Sequence, residues 1–231
     1  MGAQRVQKII SNAGIMSRRK AEEFIRQGRV RVNGKSIKLG DKATDDDKIT
    51  VDDKPVKKTR KRYIMFHKPP GCLTTLTDPK GRRTIFNYIK EKERLIPVGR
   101  LDFLTEGLLL LTNDGDFANK IMHPRYQVKK NYIAFLDMPL SDNDRTKLEK
   151  GIIIEERKTS PARVTYESDN KDIIQVSIHE GRNRIVRKML FTLGYKTKRL
   201  VRIKIGSLDL GDLPKGKYRE LTRKEIERLM P

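Results

Sequence analysis

The sequence predicts an α+β protein in two parts: a small αβ unit, then a larger domain of strands with flanking helices. Three observations point that way. In the first sixty residues, two segments with apolar residues at helical spacing precede an alternating basic and apolar run that ends at Asn33-Gly34. Lys54 to Arg62 is then charged and poor in apolar residues, as an interdomain linker is. Beyond it, short strand-like runs alternate with short helical ones, and one of them, Leu108 to Leu111, is wholly apolar. The expected bounds are 1–58 for the first domain, 59–62 for the linker and 63–231 for the second domain.

Composition narrows the function classes. The 231 residues include 52 Lys and Arg against 30 Asp and Glu, a formal charge of +22. A field of that sign implies a polyanionic partner, nucleic acid first and an anionic membrane surface second. No apolar run approaches the roughly 20 residues of a spanning helix. The N-terminus lacks an apolar signal core, and the single cysteine, Cys72, excludes an intrachain disulfide. Both argue for the cytoplasm. His67, His123 and His179 are scattered without metal-ligand spacing, so no metal is expected.

Element by element, Val6, Ile9, Ile10 and Ala13 form the stripe of a first helix closed by Gly14. Ser17 reads as the N-cap of a second, Arg18 to Gln27, whose apolar face is Ala21, Phe24 and Ile25. Val30 and Val32 alternate with Arg29 and Arg31, and Asn33-Gly34 turns the chain toward Lys35. The acidic run Asp45-Asp46-Asp47 and a strand from Lys48 to Val51 complete the unit. Arg18, Arg19, Lys20, Arg29, Arg31 and Lys35 crowd one helix start and the hairpin after it. Residues 1–60 carry a net +8, more than a third of the total charge in about a quarter of the chain. With Asn33 at the turn, these residues are the candidate RNA contacts. The pattern Ala13-Gly14-Ile15, Ser17-Arg18-Arg19-Lys20-Ala21-Glu22 and Gly28 to Lys35 resembles the small RNA-binding module named after ribosomal protein S4. That module occurs in several RNA-handling families, so it implies RNA binding without naming an enzyme.

In the second part, a strand over Tyr63 to His67 meets the turn Lys68-Pro69-Pro70-Gly71. Thr84 to Lys90 reads as a short helix, and a strand over Leu95 to Val98 delivers Gly99 to Asp102. Glu106 to Thr112 reads as a strand buried on both faces, and Asn113-Asp114-Gly115 turns into a helix ending near His123-Pro124. Gly99 to Gly115 carries one base, Arg100, against three acids, Asp102, Glu106 and Asp114, in a chain that is otherwise strongly basic. A carboxylate drawn toward a core costs several kcal/mol, roughly, unless paired. Catalysis and turn capping are the two reasons to keep Asp102 there.

Val128 to Leu136 reads as a strand with Tyr132 facing the same way as Lys130 and Ala134. A tyrosine ring offers a platform for a base and a hydroxyl that hydrogen-bonds or moves a proton. After a strand over Ile173 to His179 comes Glu180-Gly181-Arg182-Asn183-Arg184, then a helix on to Leu193 closed by Gly194. Arg187 lies at the edge of that helix's apolar arc, whereas Arg184 and Lys188 point further into solvent. Lys198 to Ile205, Gly216 to Leu221 and a helix from Thr222 end the chain.

Gly99-Arg100-Leu101-Asp102 with Thr105, Gly107 and the Leu run resembles the active-site motif of the RsuA/RluB family of ribosomal RNA pseudouridine synthases. The likeness continues through Lys68-Pro69-Pro70-Gly71, Lys130-Asn131-Tyr132 and Gly181 to Lys188. It implies a mixed, mainly antiparallel sheet with flanking helices for the second domain. It also implies Asp102 as the catalytic carboxylate, Arg187 as its ion-pair partner, Tyr132 as stacking platform and proton carrier, and Leu200 packed beneath that tyrosine. Lys68, Arg100, Arg182 and Arg184 are the implied RNA contacts of this domain. Residues 116–124 look closer to members acting on large-subunit RNA.

Conversion of uridine to pseudouridine is an isomerisation without net redox change or hydrolysis, so no cofactor or metal is expected. Attack at C1′, attack at C6 and a glycal route are all compatible with this residue set. The expected partner is ribosomal RNA or an assembly intermediate, met by a monomer and away from membranes. The rival expectation is a non-catalytic RNA-binding assembly factor, which would account for residues 1–60 and the charge only.

Overall fold

The computed structural model describes every residue except Met1, Asp45, Lys58, Lys92 and Pro231. Asp45 of the acidic run, and the assigned domain ends at residues 1, 58 and 231, therefore lie outside the described residues. The chain forms two compact units: residues up to Arg62 together with segments 91–95 and 113–115, and the remainder.

In the first unit a short strand, β1 (Gln4–Arg5), leads into helices α1 (Val6–Asn12) and α2 (Arg18–Arg26). Strand β2 (Val30–Val32) turns into β3 (Lys35–Ser36), and β4 (Lys42–Ala43), β5 (Ile49–Val51) and β6 (Lys54–Pro55) follow. β1 pairs with β4, and the main sheet runs β3-β2-β5-β6. The expected caps are present: Ser17 accepts a hydrogen bond from the Lys20 backbone N–H at 3.2 Å. Val6, Ile10, Ala21 and Ile25 from the helices pack on Val30, Ile49 and Val51 from the sheet. Of the apolar positions read from the sequence, Ile9, Phe24 and Val32 pack against this core only partly buried, and Met16 and Ala43 complete it.

The second unit is a mixed sheet, nine-stranded among the described residues, with β15 and β9 its parallel pair. Its elements are β7 (Tyr63–Lys68), β8 (Ile96–Val98), β9 (Glu106–Thr112), α3 (Gly115–Met122), β10 (Lys130–Leu136) and α4 (Asp142–Lys150). Then come β11 (Ile153–Ile154), β12 (Arg157–Lys158), β13 (Arg163–Tyr166), β14 (Ile173–Ile178) and α5 (Ile185–Thr192). β15 (Thr197–Ile205), β16 (Leu208–Asp209), β17 (Tyr218–Glu220) and α6 (Arg223–Leu229) end the chain. The order is β13-β14-β10-β15-β9-β7-β17, with β8 beside β9 and β16 beside β15; β11 and β12 form a separate hairpin. Every residue of β9 is buried, as its two-sided apolar reading requires. Phe117, Ala118 and Ile121 of α3 and Leu229 of α6 share one core with Leu108 and Leu110.

Two readings of the sequence change. The helix expected over Thr84 to Lys90 is a single 3-10 turn, Ile85–Asn87. The Ile85 N–H is held by the Leu73 carbonyl at 3.0 Å and the Asn87 side chain closes back on the Thr84 N–H at 2.7 Å. Both bonds satisfy N–H groups at the start of the turn, where Thr84 and Asn87 form a capping box. Helix α4 was not expected, because Leu148 is its one buried residue and no apolar stripe marks it. What holds it is polar: the Ser141 cap, acids in the first turn and lysines in the last.

Candidate active site

The second unit encloses an open cavity of about 760 Å³, lined by the loop after β8, by β10 and β15, and by the segment 180–186 that enters α5. Asp102, Tyr132, Leu200, Lys130 and Arg202 all border it.

The loop is fixed from beneath. Gly99 takes φ +75°, which suits glycine, and its N–H points at the Met122 sulfur. The Thr74 hydroxyl donates to the Leu101 carbonyl at 2.8 Å, and the Gly71 N–H to that of Phe103 at 2.8 Å. The Thr105 N–H closes a turn on the Asp102 carbonyl at 3.1 Å. At the centre is Lys68, 0 % exposed, whose ammonium donates to the carbonyls of Pro69, Asp102, Phe103 and Thr105 at 2.9 to 3.3 Å. Burial lowers its pKa, while Cys72, Asp102 and Glu106 pull it back up. Lys68 is therefore no RNA contact, which corrects the expectation. It is the last residue of β7, with its side chain inside, and it gathers carbonyl oxygens that would otherwise be buried without a donor.

The three acids of the stretch have different fates. Buried Glu106 is paired with Arg199 and with Lys215, the latter at 2.6 Å, and the pairing holds its pKa below the ordinary value against burial. Asp114 is paired with Lys61 at 2.7 Å. Asp102 is half-buried and borders the cavity, and among the described residues no cation or hydrogen-bond donor is in contact with its carboxylate.

Tyr132 and Ala134 are buried on one face of β10. In register, Tyr132 faces Arg202 and Ala134 faces Leu200, so Leu200 is the diagonal cross-strand neighbour of the tyrosine and lines the cavity with it. Arg187, on α5, is half-buried, and its guanidinium donates to the Thr197 carbonyl at 2.8 Å. The contact ion pair with Asp102 implied by the resemblance is not formed in this structure. The start of β15 takes the guanidinium instead, and the carboxylate acts on it through space. Burial and Arg184 lower the Arg187 pKa, whereas Asp102 raises it.

Arg100 and Arg184 are exposed at the cavity, and Arg184, at φ +53°, is the N-cap of α5. Arg182 borders the cavity too, bonded to Glu180 at 2.8 Å. In the first unit, Arg18, Arg19, Lys20 and Lys35 are exposed. Arg29 is clamped by Asp52 and lies over the Phe24 ring at 3.8 Å, and Arg31 is paired with Asp53. The exposed Asn33 amide donates to Asp47 and accepts from the Lys48 N–H within the turn.

Two cavity cations were not singled out from the sequence. Arg202 is 3 % exposed, and Lys130 lies on the same face as Tyr132. The signal for Arg202 is its phase: two residues after buried Leu200, it must point to the same side. Among the described residues, no group of three or more His, Cys, Asp or Glu side chains is arranged to hold a metal, and no helix is long and apolar enough to cross a membrane.

A rigidly mounted carboxylate in a basic cleft, beside a buried aromatic, has the layout of an enzyme acting on a polyanion. Residues 62–191 match the RNA pseudouridylate synthase family and residues 4–49 the S4 domain. The chain belongs to the RNA pseudouridylate synthase family. It is 45% identical over 232 residues to the ribosomal large subunit pseudouridine synthase B of Bacillus subtilis, covering 98% of this chain and 95% of that one. It is 46% identical to an uncharacterized RNA pseudouridine synthase of Aquifex aeolicus, over 97% of this chain and 93% of that one. A crystal structure of a pseudouridylate synthase superposes with a TM-score of 0.73 at 33% identity, over 97% of this chain and 99% of that chain.

Proposed function

We propose that this chain isomerises a uridine of ribosomal RNA, in the large subunit, to pseudouridine, with Asp102 as the catalytic carboxylate. The observation that carries the assignment is the contrast among the three acids: Glu106 and Asp114 are ion-paired, and Asp102 faces the cavity unpaired. An ionised carboxylate captures or stabilises an electron-poor C1′ when the N1–C1′ bond breaks. Tyr132 is the platform for the extruded base, and Arg187 orients the charge of Asp102 through space. The reaction yields an isomer, so neither an oxidant nor a hydrolytic water enters its balance. Residues 1–58 serve as the docking module for ribosomal RNA or an assembly intermediate, and 63–231 as the catalytic domain. The protein works as a cytoplasmic monomer.

The test is tritium release from ribosomal RNA labelled at uridine C5, since C5 must shed its hydrogen on bonding to C1′. Wild type releases tritium. Asp102→Asn abolishes release and leaves RNA affinity nearly unchanged. Tight binding by wild type without release would identify a non-catalytic RNA-binding factor instead.

A further inference from the structure

The cavity holds two cations, Lys130 and Arg202, that form no ion pair with an acid among the described residues. Arg202 is buried on β15 directly across from Tyr132. Its Nε donates to the Leu108 carbonyl at 2.8 Å, but its buried Nη2 has no hydrogen-bond partner among the described residues. Lys130, two residues before Tyr132 on the same strand, gives hydrogen bonds, among the described residues, only to the Val128 and His179 carbonyls, at 3.1 and 3.2 Å. Burial and the nearby Arg202 push its pKa down to about 8. The other charged groups of the cleft are already engaged or lie elsewhere: Glu180 binds Arg182, and Asp102 is on the opposing loop. Two like charges, withdrawn from water and lacking a counter-ion, are costly in the resting protein. They form a prepared site for negative charge that arises later.

We propose that Lys130 and Arg202 stabilise the uracil anion released when the glycosidic bond breaks. This inference rests on the reading of the site as a pseudouridine synthase. In the step concerned, Asp102 gives an electron pair to C1′, and the N1–C1′ pair stays with the pyrimidine. The negative charge spreads over N1 and the two carbonyl oxygens, which are acceptors for an ammonium and a free guanidinium N–H. C5 then bonds to C1′ as the carboxylate leaves with its pair, C5 loses its proton and N1 gains one. The charge is transient, so the cations act on the transition state and contribute little to RNA affinity.

The experiment measures single-turnover conversion of the target nucleotide at saturating enzyme, for wild type, Lys130→Met, Lys130→Arg and Arg202→Met. Each is tested on uridine RNA and on the same RNA with 5-fluorouridine at the target. C5–F has no proton to lose, so on both RNAs the readout is disappearance of the N1-linked target nucleoside, which reports cleavage of the glycosidic bond. Fluorine makes the pyrimidine a more stable anion, so it needs less help to leave. We expect Lys130→Met to lose about 100-fold on uridine RNA, the usual cost of one preorganised donor. RNA affinity and melting temperature should stay near wild type, and the loss should shrink at least several-fold on the fluorinated RNA. Lys130→Arg should restore most of the rate, and Arg202→Met should show the same compression wherever it remains folded.

Equal losses on both RNAs would assign the pair a structural role and overturn the proposal. Loss of RNA affinity at an unchanged saturated rate would also overturn it, in favour of a backbone phosphate held in the ground state. Failure of wild type to convert uridine RNA would instead reject the underlying functional reading.

Discussion

Two lysines, Lys68 buried and Lys130 half-buried, show how context separates residues of one type. The Lys68 ammonium is surrounded by four carbonyls of the loop that carries Asp102, whereas Lys130 holds two carbonyls and faces the cavity. Lys68→Met would leave several carbonyls buried without a donor, a cost of about 1–3 kcal/mol. It should lower the melting temperature and slow tritium release, because Asp102 loses its mount, while the salt dependence of RNA binding stays as in wild type. A fall in the salt slope would place Lys68 on a phosphate and contradict its burial.

At the scale of elements, the junction that matters is the parallel pairing of β9 and β15, where Gly107 lies against Arg202. A Cβ at residue 107 would lie 2.3 Å from the Arg202 carbonyl oxygen and 2.6 Å from its nitrogen, at φ +110°. Backbone on one side and a left-handed conformation on the other leave no room to relax. Gly107→Ala should therefore destabilise by about 3 kcal/mol or more in denaturant unfolding. It should also displace Arg202 and Asp102 relative to each other.

Helix α6 offers a pH-dependent counterpart. Glu225 caps the helix by accepting from the Thr222 N–H at 2.8 Å and pairs with Arg219 at 2.7 Å. Arg219 first, then the Thr222 bonds, lower its pKa from 4.5 to about 2. A folded-state value below the unfolded one means that the stabilisation is complete above the unfolded value and is lost as pH falls through the folded one. Glu225→Gln should thus be less stable than wild type at neutral pH. The gap should close between about pH 4.5 and pH 2. A gap that persists in acid would show that the carboxylate's charge is irrelevant to the cap.

For the molecule as a whole, the charge of +22 sets the response to salt. RNA affinity should fall linearly with the logarithm of salt, and each phosphate contact removed should reduce the slope by about 0.7. Replacing Arg18, Arg19 and Lys20 together, all exposed at the start of α2, should reduce it by about 2. Arg29 and Arg31 are already paired with Asp52 and Asp53, so their removal should change the slope less. Fluorescence titration at several salt concentrations separates the two groups, and equal slopes for all variants would remove the first unit from the RNA path.

The sequence by itself implied a polyanionic partner and determined the αβ character of the first unit and the stretch that carries Asp102. These rest on net charge, on periods of 3.6 and 2, and on turn residues such as Asn33-Gly34, all properties of near neighbours in the chain. Resemblance in the motifs of β10 and α5 added Tyr132 and Arg187 as candidates. Only the tertiary structure decided which charges are paired. Glu106 meets Lys215 and Arg199 across more than ninety residues, and Lys68 meets the loop at Asp102 from thirty-four residues away. Arg202 looks like any other basic residue of β15 until the cross-strand register places it opposite Tyr132. A charge's role depends on the dielectric around it and on the partners in reach, and both are set by contacts that no local pattern encodes.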